Sequence, residues 1–453
     1  MSLSTTGSPE ETNFTQLRLR EYPQLDAQRH TYLDFTGAGL YASSQVLEHQ
    51  EWLLTNILGN PHSINPSSKR ADEAVATTRQ QILDFFNAQD DYYCIFTANA
   101  SAAVRIVAES YSFDDSSQLT LLADNHNSVN GLREYCRRAG GQFNYVPLTT
   151  PCLRIDEQVL AATLSNKSSS ANRLFAYPAQ SNFSGVQHDL SWVHVAQSQG
   201  WDVLLDVAAY VPTNRLDLQV ITADFVPISF YKMFGYPTGL GCLLVRKAAF
   251  TKLRKTSFTG GTVQFVSNNA DVYHLHDHHE RFEDGTINFL DIPAIGRGLN
   301  LLSKIGMCQI NSRVKITCSY ALDKLRSLQH SNGQPLLKFL GPTDLDGRGG
   351  TITFNIYQAI GKHIPIDIIE TKAAEANISL RTGCFCNPGC EEIANGISQQ
   401  ETKDYLAAGL PIALAAMEEK LGKPRGGVRV SFGFVTNRQD IDRLVDFLSN
   451  FIS

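Results

Sequence analysis

A single lysine, Lys232, stands between two apolar segments and could react with an aldehyde. Residues 225–230 read FVPISF, and residues 242–245, beyond a Gly/Pro-rich turn, read CLLV. Apolar runs that end at such breakers predict two buried strands joined by a loop. A lysine in that loop would be partly desolvated, which lowers the pKa of an amine and makes it nucleophilic. An exposed loop lysine is the alternative for Lys232 alone, because lysine is seldom fully buried.

Four other polar residues also fall at or just after the ends of predicted strands. They are Thr97, His126, Asn182 and Asp206. The strands alternate with helices, which predicts an α/β fold with a mostly parallel sheet and helices on both faces. Ligands of such sheets bind at the carboxyl ends of the strands, so we expect these side chains to lie near Lys232.

These residue types match the needs of pyridoxal 5'-phosphate (PLP), which requires an amine, a carboxylate at its ring nitrogen and a phosphate site. Lys232 is the candidate amine and Asp206 the candidate carboxylate, although a turn-capping aspartate explains Asp206 equally well. His126 could stack on the ring, although a histidine that starts a helix is the alternative. Asn182 could contact the phenolic oxygen of PLP, and Ser229 could bind its phosphate.

The phosphate site has a second candidate at residues 93–107, which read YCIFTANASAAVRIV. This pattern predicts a strand, a turn of small residues and a helix. Backbone N–H groups at such a helix start bind phosphate. Because Thr, Asn and Ser also cap ordinary helices, this stretch alone does not decide the matter.

The length of 453 residues predicts a large domain and a smaller one. We expect residues 46–300 to form the large PLP-binding domain and residues 301–453 to form a small α+β domain that carries a cysteine loop. Residues 1–45 are expected to pack with the small domain. Within the small domain we predict one long helix over residues 292–328 and another around residues 407–421.

Composition excludes several classes of function. The net charge of −6 and the pI of about 6.1 predict no general affinity for nucleic acid or anionic membranes. No apolar run approaches the roughly 18 residues of a membrane span, and the polar N-terminus lacks a signal-peptide core. Nine cysteines without dense regular spacing indicate a reducing, cytoplasmic environment rather than a disulfide framework.

Two clusters of metal-ligand residue types carry a weaker signal. Cys384, Cys386 and Cys390 share one loop, but their C-x-C-x3-C spacing is unusual for zinc, so we predict no metal there. Residues 274–279 contain four histidines, for which a solvated loop is favoured over a metal site.

Segments across nearly the whole chain resemble class V PLP-dependent enzymes of aminotransferase fold type I, in the cysteine desulfurase group. Within that group they resemble in particular the desulfurase domain of molybdenum cofactor sulfurases. The matching segments are residues 59–63 (GNPHS), 124–126 (DNH), 180–185 (QSNFSG), 229–232 (SFYK), 234–241 (FGYPTGLG), 282–286 (FEDGT), 380–388 (LRTGCFCNP) and 428–434 (VRVSFGF). The resemblance implies a large domain built on a mostly parallel, seven-stranded sheet.

The resemblance also implies which residues bind the cofactor. They are Ala100, Ser101, His126, Asn182, Asp206, Ser229, Lys232 and Thr286. Lys232 would form the Schiff base, Asp206 would pair with the pyridinium and His126 would stack on the ring. Thr286 would reach the phosphate of a partner subunit, so a homodimer is implied.

For the reaction, the resemblance implies that L-cysteine becomes L-alanine and leaves its sulfur as a persulfide on Cys386. Lys232, Cys386 and His126 would be catalytic. Arg381 and Arg429 would hold the substrate carboxylate, a task that suits the guanidinium fork. Gly383 and the Pro388-Gly389 pair indicate a loop mobile enough to carry the persulfide to an acceptor.

Two departures from the family leave the sulfur acceptor open. Ala209 and Tyr231 stand where many desulfurases have Gln and His, and the chain ends at Ser453, after the desulfurase part. The acceptor could be a separate protein, molybdenum cofactor, another thiolated metabolite or none, and selenocysteine could replace cysteine as substrate. The alternatives are a C–S lyase, an epimerase or another biosynthetic enzyme of this fold, and a PLP-binding scaffold that activates a partner.

Overall fold

A computed structural model describes residues 9–166, 170 and 172–453, with side chains from residue 13 onward. The strands are β1 (Thr31–Tyr32), β2 (Tyr92–Thr97), β3 (Gln118–Leu122), β4 (Gln142–Val146), β5 (Leu148–Thr149), β6 (Arg154–Ile155), β7 (Arg173–Pro178), β8 (Asp202–Asp206), β9 (Phe225–Ser229), β10 (Gly241–Arg246), β11 (Val263–Ser267), β12 (Val272–Leu275), β13 (Leu337–Phe339), β14 (Thr351–Ile356), β15 (Ile378–Ser379), β16 (Arg381–Gly383) and β17 (Gly427–Ser431).

The α-helices connect and cover these strands. They are α1 (Pro9–Glu21), α2 (Pro23–Ala27), α3 (Ser43–Thr55), α4 (Pro66–Phe85), α5 (Ala100–Ser110), α6 (Asn127–Asn130), α7 (Leu132–Arg138), α8 (Glu157–Leu164), α9 (Trp192–Ser198), α10 (Phe230–Phe234), α11 (Ile292–Ile305), α12 (Met307–Arg326), α13 (Ile366–Glu375), α14 (Pro388–Ala394), α15 (Gln399–Ala407), α16 (Leu414–Leu421) and α17 (Arg438–Ser449). No helix in the described ranges is long and apolar enough to cross a membrane.

A seven-stranded sheet forms the centre of the larger part of the molecule. Its strand order is β2-β10-β9-β8-β7-β3-β4. β10 runs antiparallel to both of its neighbours, and the remaining neighbours pair in parallel. β7 and β9 are buried at every position, as expected for strands covered on both faces. The predicted fold class, with its mostly parallel seven-stranded sheet, is therefore confirmed.

A second, antiparallel sheet has the order β13-β14-β17-β16 and its own hydrophobic core with α12, α13 and α17. The N-terminal segment reaches this sheet through a bridge from Asp34 to Ser431 of β17. In addition, β1 and β15 form a separate two-stranded parallel sheet, and Arg18 bonds to Asp440 of α17. Tyr22 and Leu25, however, join the core of the large sheet. The segment thus contacts both parts, and the predicted domain boundaries at residues 45 and 300 stay predictions. Residues 1–8 lie outside the described residues.

Two predicted helices are each divided in the structure. The helix expected over residues 292–328 is split into α11 and α12 at Gly306, whose φ of +90° interrupts the helical backbone. The helix expected around residues 407–421 consists of the end of α15 and all of α16. Between them lie Gly409, with φ +65°, and Pro411, which has no N–H to continue a helix.

Candidate active site

Lys232 lies on α10, a short helix between β9 and β10, where the sequence predicted a loop. Gly235 ends this helix at φ +76°, and a Cβ there would lie 2.4 Å from the backbone nitrogen of Tyr41. The Gly39 N–H donates to the Tyr231 carbonyl at 3.0 Å. Residues 39–41 therefore pack directly on the helix that carries the lysine and fix its position.

A cavity of about 170 Å³ adjoins Lys232 and collects most of the predicted side chains. Its walls include Ala100, Ser101, His126, Asn182, Asp206, Ser229 and Lys232. These residues follow β3, β7, β8 and β9 or begin α5, so the carboxyl ends of the parallel strands meet here as expected. Thr97 instead supports the turn before α5, because its hydroxyl donates to the Asn99 carbonyl at 2.9 Å.

The electrostatics of the cavity favour neutral nitrogen bases. Burial lowers the pKa of Lys232, Arg429 adds to this effect, and Asp206 opposes it. Burial also lowers the pKa of His126, with a further contribution from the Lys232 charge. A larger fraction of Lys232 is consequently the nucleophilic free amine at neutral pH.

The start of α5 provides an anion site at one end of the cavity. Asn99 caps this 11-residue helix by accepting from the Ala102 N–H at 3.0 Å. The Ser229 hydroxyl oxygen accepts from the Ala100 N–H at 2.8 Å, and the Ser101 and Ser128 hydroxyls lie 2.5 Å apart. A helix N-terminus surrounded by hydroxyl groups suits a phosphate.

Arg381 and Arg429 face each other as paired residues on β16 and β17. Asp34, just after β1, accepts from both: Oδ2 lies 2.6 Å from Arg381 Nη2, and Oδ1 lies 2.9 Å from Arg429 Nη2. Sequence reasoning missed Asp34. An acidic residue beside the 36–39 turn was visible, but its partners are 347 and 395 residues away along the chain.

The two arginines differ in their surroundings. The Arg381 side chain is 52% exposed and directs both Nε and Nη2 to Asp34, so its fork is occupied. The Arg429 side chain is 3% exposed, and burial lowers its pKa. Arg429 Nη1 donates to the Asn182 carbonyl, while its buried Nε has no hydrogen-bond partner in the described part of the chain. Arg429 therefore keeps one buried N–H donor that no described residue uses.

Cys386 is exposed in the loop between β16 and α14. Phe385 and Cys386 both have positive φ, at 54° and 55°, and the Phe385 ring lies 4.5 Å from the Arg429 guanidinium. The Phe385 carbonyl accepts from Asn182 Nδ2 at 2.8 Å, and the Cys386 carbonyl accepts from the Asn127 N–H at 2.7 Å, so the loop is bound to the cavity wall at Asn182 and to the residue after His126. The loop thus places a thiol beside the cavity.

The two neighbouring cysteines differ from Cys386. Cys390 is fully buried, and burial raises the pKa of its thiol. Cys384 is half-buried. Among the described residues, no group of three or more His, Cys, Asp or Glu side chains is placed to hold a metal ion, either in this loop or near residues 274–279.

Thr286 does not line the cavity of its own chain, and neither do Arg381, Cys386 and Arg429. Thr286 is exposed and follows a segment anchored by Glu283, which accepts from Arg79 Nη1 at 2.7 Å and from the Phe96 N–H at 2.8 Å. Thr286 therefore faces outward from a firmly held segment.

The aminotransferase class-V family model matches residues 31–444. The chain belongs to the aminotransferase class-V family. This family uses PLP. The donor set of the cavity fits that group, because it combines an amine, a carboxylate, an imidazole and a helix N-terminus with hydroxyl groups.

Within this class-V family, the chain is homologous to molybdenum cofactor sulfurases along nearly its whole length. It is 38% identical to that of Homo sapiens over 458 aligned residues, covering 96% of this chain and 51% of the human protein. It is 34% identical to that of Arabidopsis thaliana, covering 97% of this chain and 58% of the plant protein. The chain spans somewhat over half the length of these relatives.

Solved structures of cysteine desulfurases share the class-V fold of this chain. An apo cysteine desulfurase from Thermococcus onnurineus NA1 superposes with a TM-score of 0.78 at 20% identity and covers 99% of both chains. The cysteine desulfurase CsdA from Escherichia coli superposes with a TM-score of 0.76 at 20% identity, covering 97% of this chain and 98% of its own. At this level of identity the likeness concerns the fold.

Proposed function

We propose that this chain is a PLP-dependent cysteine desulfurase that converts L-cysteine to L-alanine and leaves a persulfide on Cys386. The observation that carries this proposal is the exposed Cys386, whose loop is hydrogen-bonded to Asn182 in the wall of the cavity that contains Lys232. The homology to molybdenum cofactor sulfurases supports the same class of reaction.

In this proposal PLP, when bound, supplies an electron sink for bonds at the substrate α-carbon. Lys232 holds the aldehyde carbon, and Asp206 keeps the ring nitrogen protonated. Ser101, Ser229 and the N–H groups at the start of α5 hold the phosphate. His126, with its lowered pKa, covers the ring as a neutral imidazole.

The side chains around the cavity then act on L-cysteine. Arg429 binds the substrate carboxylate, and the free amine of Lys232 moves the α-proton. The Cys386 thiolate forms an S–S bond to the substrate sulfur as the substrate C–S bond breaks. The electron pair of that bond stays with carbon, which takes up a proton to give alanine, so no external oxidant is needed.

The test combines an absorbance spectrum with product analysis. With added PLP, we expect the wild-type protein to show a visible band from cofactor bound to lysine, and K232A to lack it. C386A should keep the band but form no alanine from L-cysteine in the presence of a reductant. C384S is the matched control and should keep both, because its thiol lies on the same loop.

Two outcomes would contradict the proposal in different ways. If C386A still turns over L-cysteine, the protein is a C–S lyase or a related enzyme that does not use the thiol. If the wild-type protein binds PLP but releases neither alanine nor sulfide, it is a PLP-binding scaffold. Absence of the band in the wild-type protein would remove the cofactor assignment itself.

We propose molybdenum cofactor as the final sulfur acceptor, on the basis of the names of the homologous sulfurases. Persulfide on Cys386, loaded with ³⁵S from labelled L-cysteine, should lose its label to molybdenum cofactor, added free or on a separate carrier protein. Retention of the label on the chain with both forms would contradict this assignment.

We also infer that the protein is a homodimer in which Thr286 contacts the phosphate bound by the partner subunit. The outward position of Thr286 supports this inference. The hairpin of β11 and β12, just before it in the chain, exposes the apolar side chains of Phe265, Val266, Val272 and Tyr273. An interface would remove this apolar surface from water.

A further inference from the structure

Asn387 follows Cys386 directly and is fully buried. No role was expected for it from the sequence. We propose that Asn387 is a positioning residue that holds the Cys386 thiol beside the cavity, an inference that rests on the proposed desulfurase function. It acts through the backbone of the cysteine loop and does not itself touch the substrate.

The Asn387 side chain joins three parts of the molecule. Its Nδ2 donates to the Asp124 carbonyl at 2.6 Å and to Asn182 Oδ1 at 2.9 Å. Its Oδ1 accepts from the Cys390 N–H at 3.3 Å and so caps α14. Asn387 thereby connects the cysteine loop to the turns after β3 and β7.

The bond to Asn182 fixes the orientation of a second amide. Because Asn182 Oδ1 accepts from Asn387, Asn182 Nδ2 points the other way and donates to the Phe385 carbonyl at 2.8 Å. The Asn127 N–H donates to the next carbonyl, that of Cys386, at 2.7 Å. The two peptide groups that flank the reactive thiol are thus both held by the large sheet's turns.

This anchoring is needed because the loop has an unfavourable backbone conformation. Phe385 and Cys386 are consecutive non-glycine residues at positive φ, a conformation that persists only where the surrounding structure imposes it. Gly389 permits the close approach, since a Cβ there would lie 2.2 Å from the Ala123 carbonyl oxygen. Without the Asn387 donors, the loop would relax and the thiol would leave the line of attack on the substrate sulfur.

The decisive variant is Asn387→Asp, which keeps the size of the side chain and the oxygen that caps α14. It removes both N–H donors and sets a carboxylate oxygen against two acceptor oxygens. Asn437→Asp is the matched control, because Asn437 caps α17 by accepting from the Asp440 N–H and takes no part in the cysteine loop. Asn387→Ser, which keeps a cap without the charge, replaces the first variant if that one does not fold.

Hydrogen exchange tests the anchoring without any turnover. In N387D, the Asn127 amide should exchange about tenfold faster or more, because its acceptor on Cys386 moves away. In N437D its exchange should equal that of the wild-type protein. An unchanged Asn127 exchange rate in N387D would overturn the proposal.

Single-turnover kinetics separate positioning from a general structural defect. At saturating L-cysteine, alanine formation by N387D should slow by about tenfold or more, while half-saturation of the cysteine-induced spectral change stays within about twofold. Parallel loss of cofactor binding, cysteine binding and alanine formation would overturn the positioning role. If the wild-type protein itself forms no alanine, the proposed function fails, and the exchange experiment still decides the anchoring.

Discussion

Arg381 and Arg429 lie opposite each other on neighbouring strands, but their hydrogen bonds to Asp34 leave them with different free donors. Asp34 occupies the fork of Arg381 and leaves the buried Nε of Arg429 without a partner in the described residues. A substrate carboxylate would satisfy that donor and offset the burial that lowers the pKa of Arg429. The two positions therefore predict unequal effects on substrate binding.

We expect Arg429→Gln to raise the half-saturation concentration of L-cysteine by about a hundredfold, since a lost charged hydrogen bond in a buried site costs about 3 kcal/mol. Arg381→Gln should raise it by about tenfold or less, because its partly exposed charge is screened. Spectral titration measures both. Cysteamine, which lacks a carboxylate, should bind either variant as it binds the wild-type protein. If the two substitutions raised the half-saturation concentration of L-cysteine equally, the different roles of Arg381 and Arg429 would be contradicted.

That single residues would line one cavity could be predicted from the sequence, because each one ends or follows a strand whose apolar run is visible locally. Lys232, Asp206 and His126 are examples. Asp34 and Asn387 could not be predicted in the same way. Their partners lie hundreds of residues away along the chain, and only the folded sheets bring them together.

The segment just before Thr286 is held in place by a buried ion pair between Glu283 and Arg79. Burial alone would raise the pKa of Glu283, but the nearby His279 ring and the hydrogen-bonded Arg79 guanidinium lower it to about 2. A carboxyl with a lowered pKa stabilises the fold above its unfolded pKa of about 4.5, and this contribution is lost as the pH falls toward 2.

We expect Glu283→Gln to lower the free energy of unfolding by about 3 kcal/mol at pH 7, which corresponds to this pKa shift. The difference from the wild-type protein should stay constant down to about pH 5 and shrink below it, because the Glu283 carboxyl of the unfolded chain takes up a proton there while that of the folded protein is still ionised. Urea unfolding at a series of pH values measures the difference. If the difference in the free energy of unfolding were as large at pH 3.5 as at pH 7, the packing of the Glu283 side chain, and not its charge, would hold the segment.

Whole elements were predicted where apolar runs and breakers agree, as for β9 and β10, which closely match the apolar runs 225–230 and 242–245 on either side of Lys232. The predicted helix bounds were wrong where a single residue ends the helix. Gly306 interrupts an apolar pattern that runs through both α11 and α12, and a lone glycine in a helical pattern costs only about 1 kcal/mol, so the sequence does not mark the break. Lys232 lies on a helical turn too short to have a period of its own.

For the molecule as a whole, the proposed homodimer would make each cofactor site depend on two chains. We expect Thr286→Ala to weaken PLP binding by about tenfold, although Thr286 does not line the cavity of its own chain. Absorbance titration with PLP measures this loss. A T286A subunit paired with a K232A subunit should regain one site of native affinity, because the K232A chain still supplies Thr286.

Titration of the mixed dimers provides the check on this dependence. Subunits are mixed after dissociation, and homodimers of each variant serve as controls. Sedimentation should show a dimer for each preparation. A mixture that binds PLP no better than the average of its two homodimers would mean that Thr286 acts within its own chain.

The pairing of β1 with β15 also bears on how the protein is made. Thr31 and Tyr32 leave the ribosome early, but their partners Ile378 and Ser379 follow some 350 residues later. At translation rates of about 5–20 residues per second, this interval lasts on the order of 20–70 s. During that time the nascent chain can form the seven-stranded sheet while β1 still lacks its partner β15. Residues 39–41, which follow β1 and pack on the Lys232 helix, would then be held less firmly, so a chain stalled on the ribosome before residue 378 should be cleaved by protease more readily near Lys232.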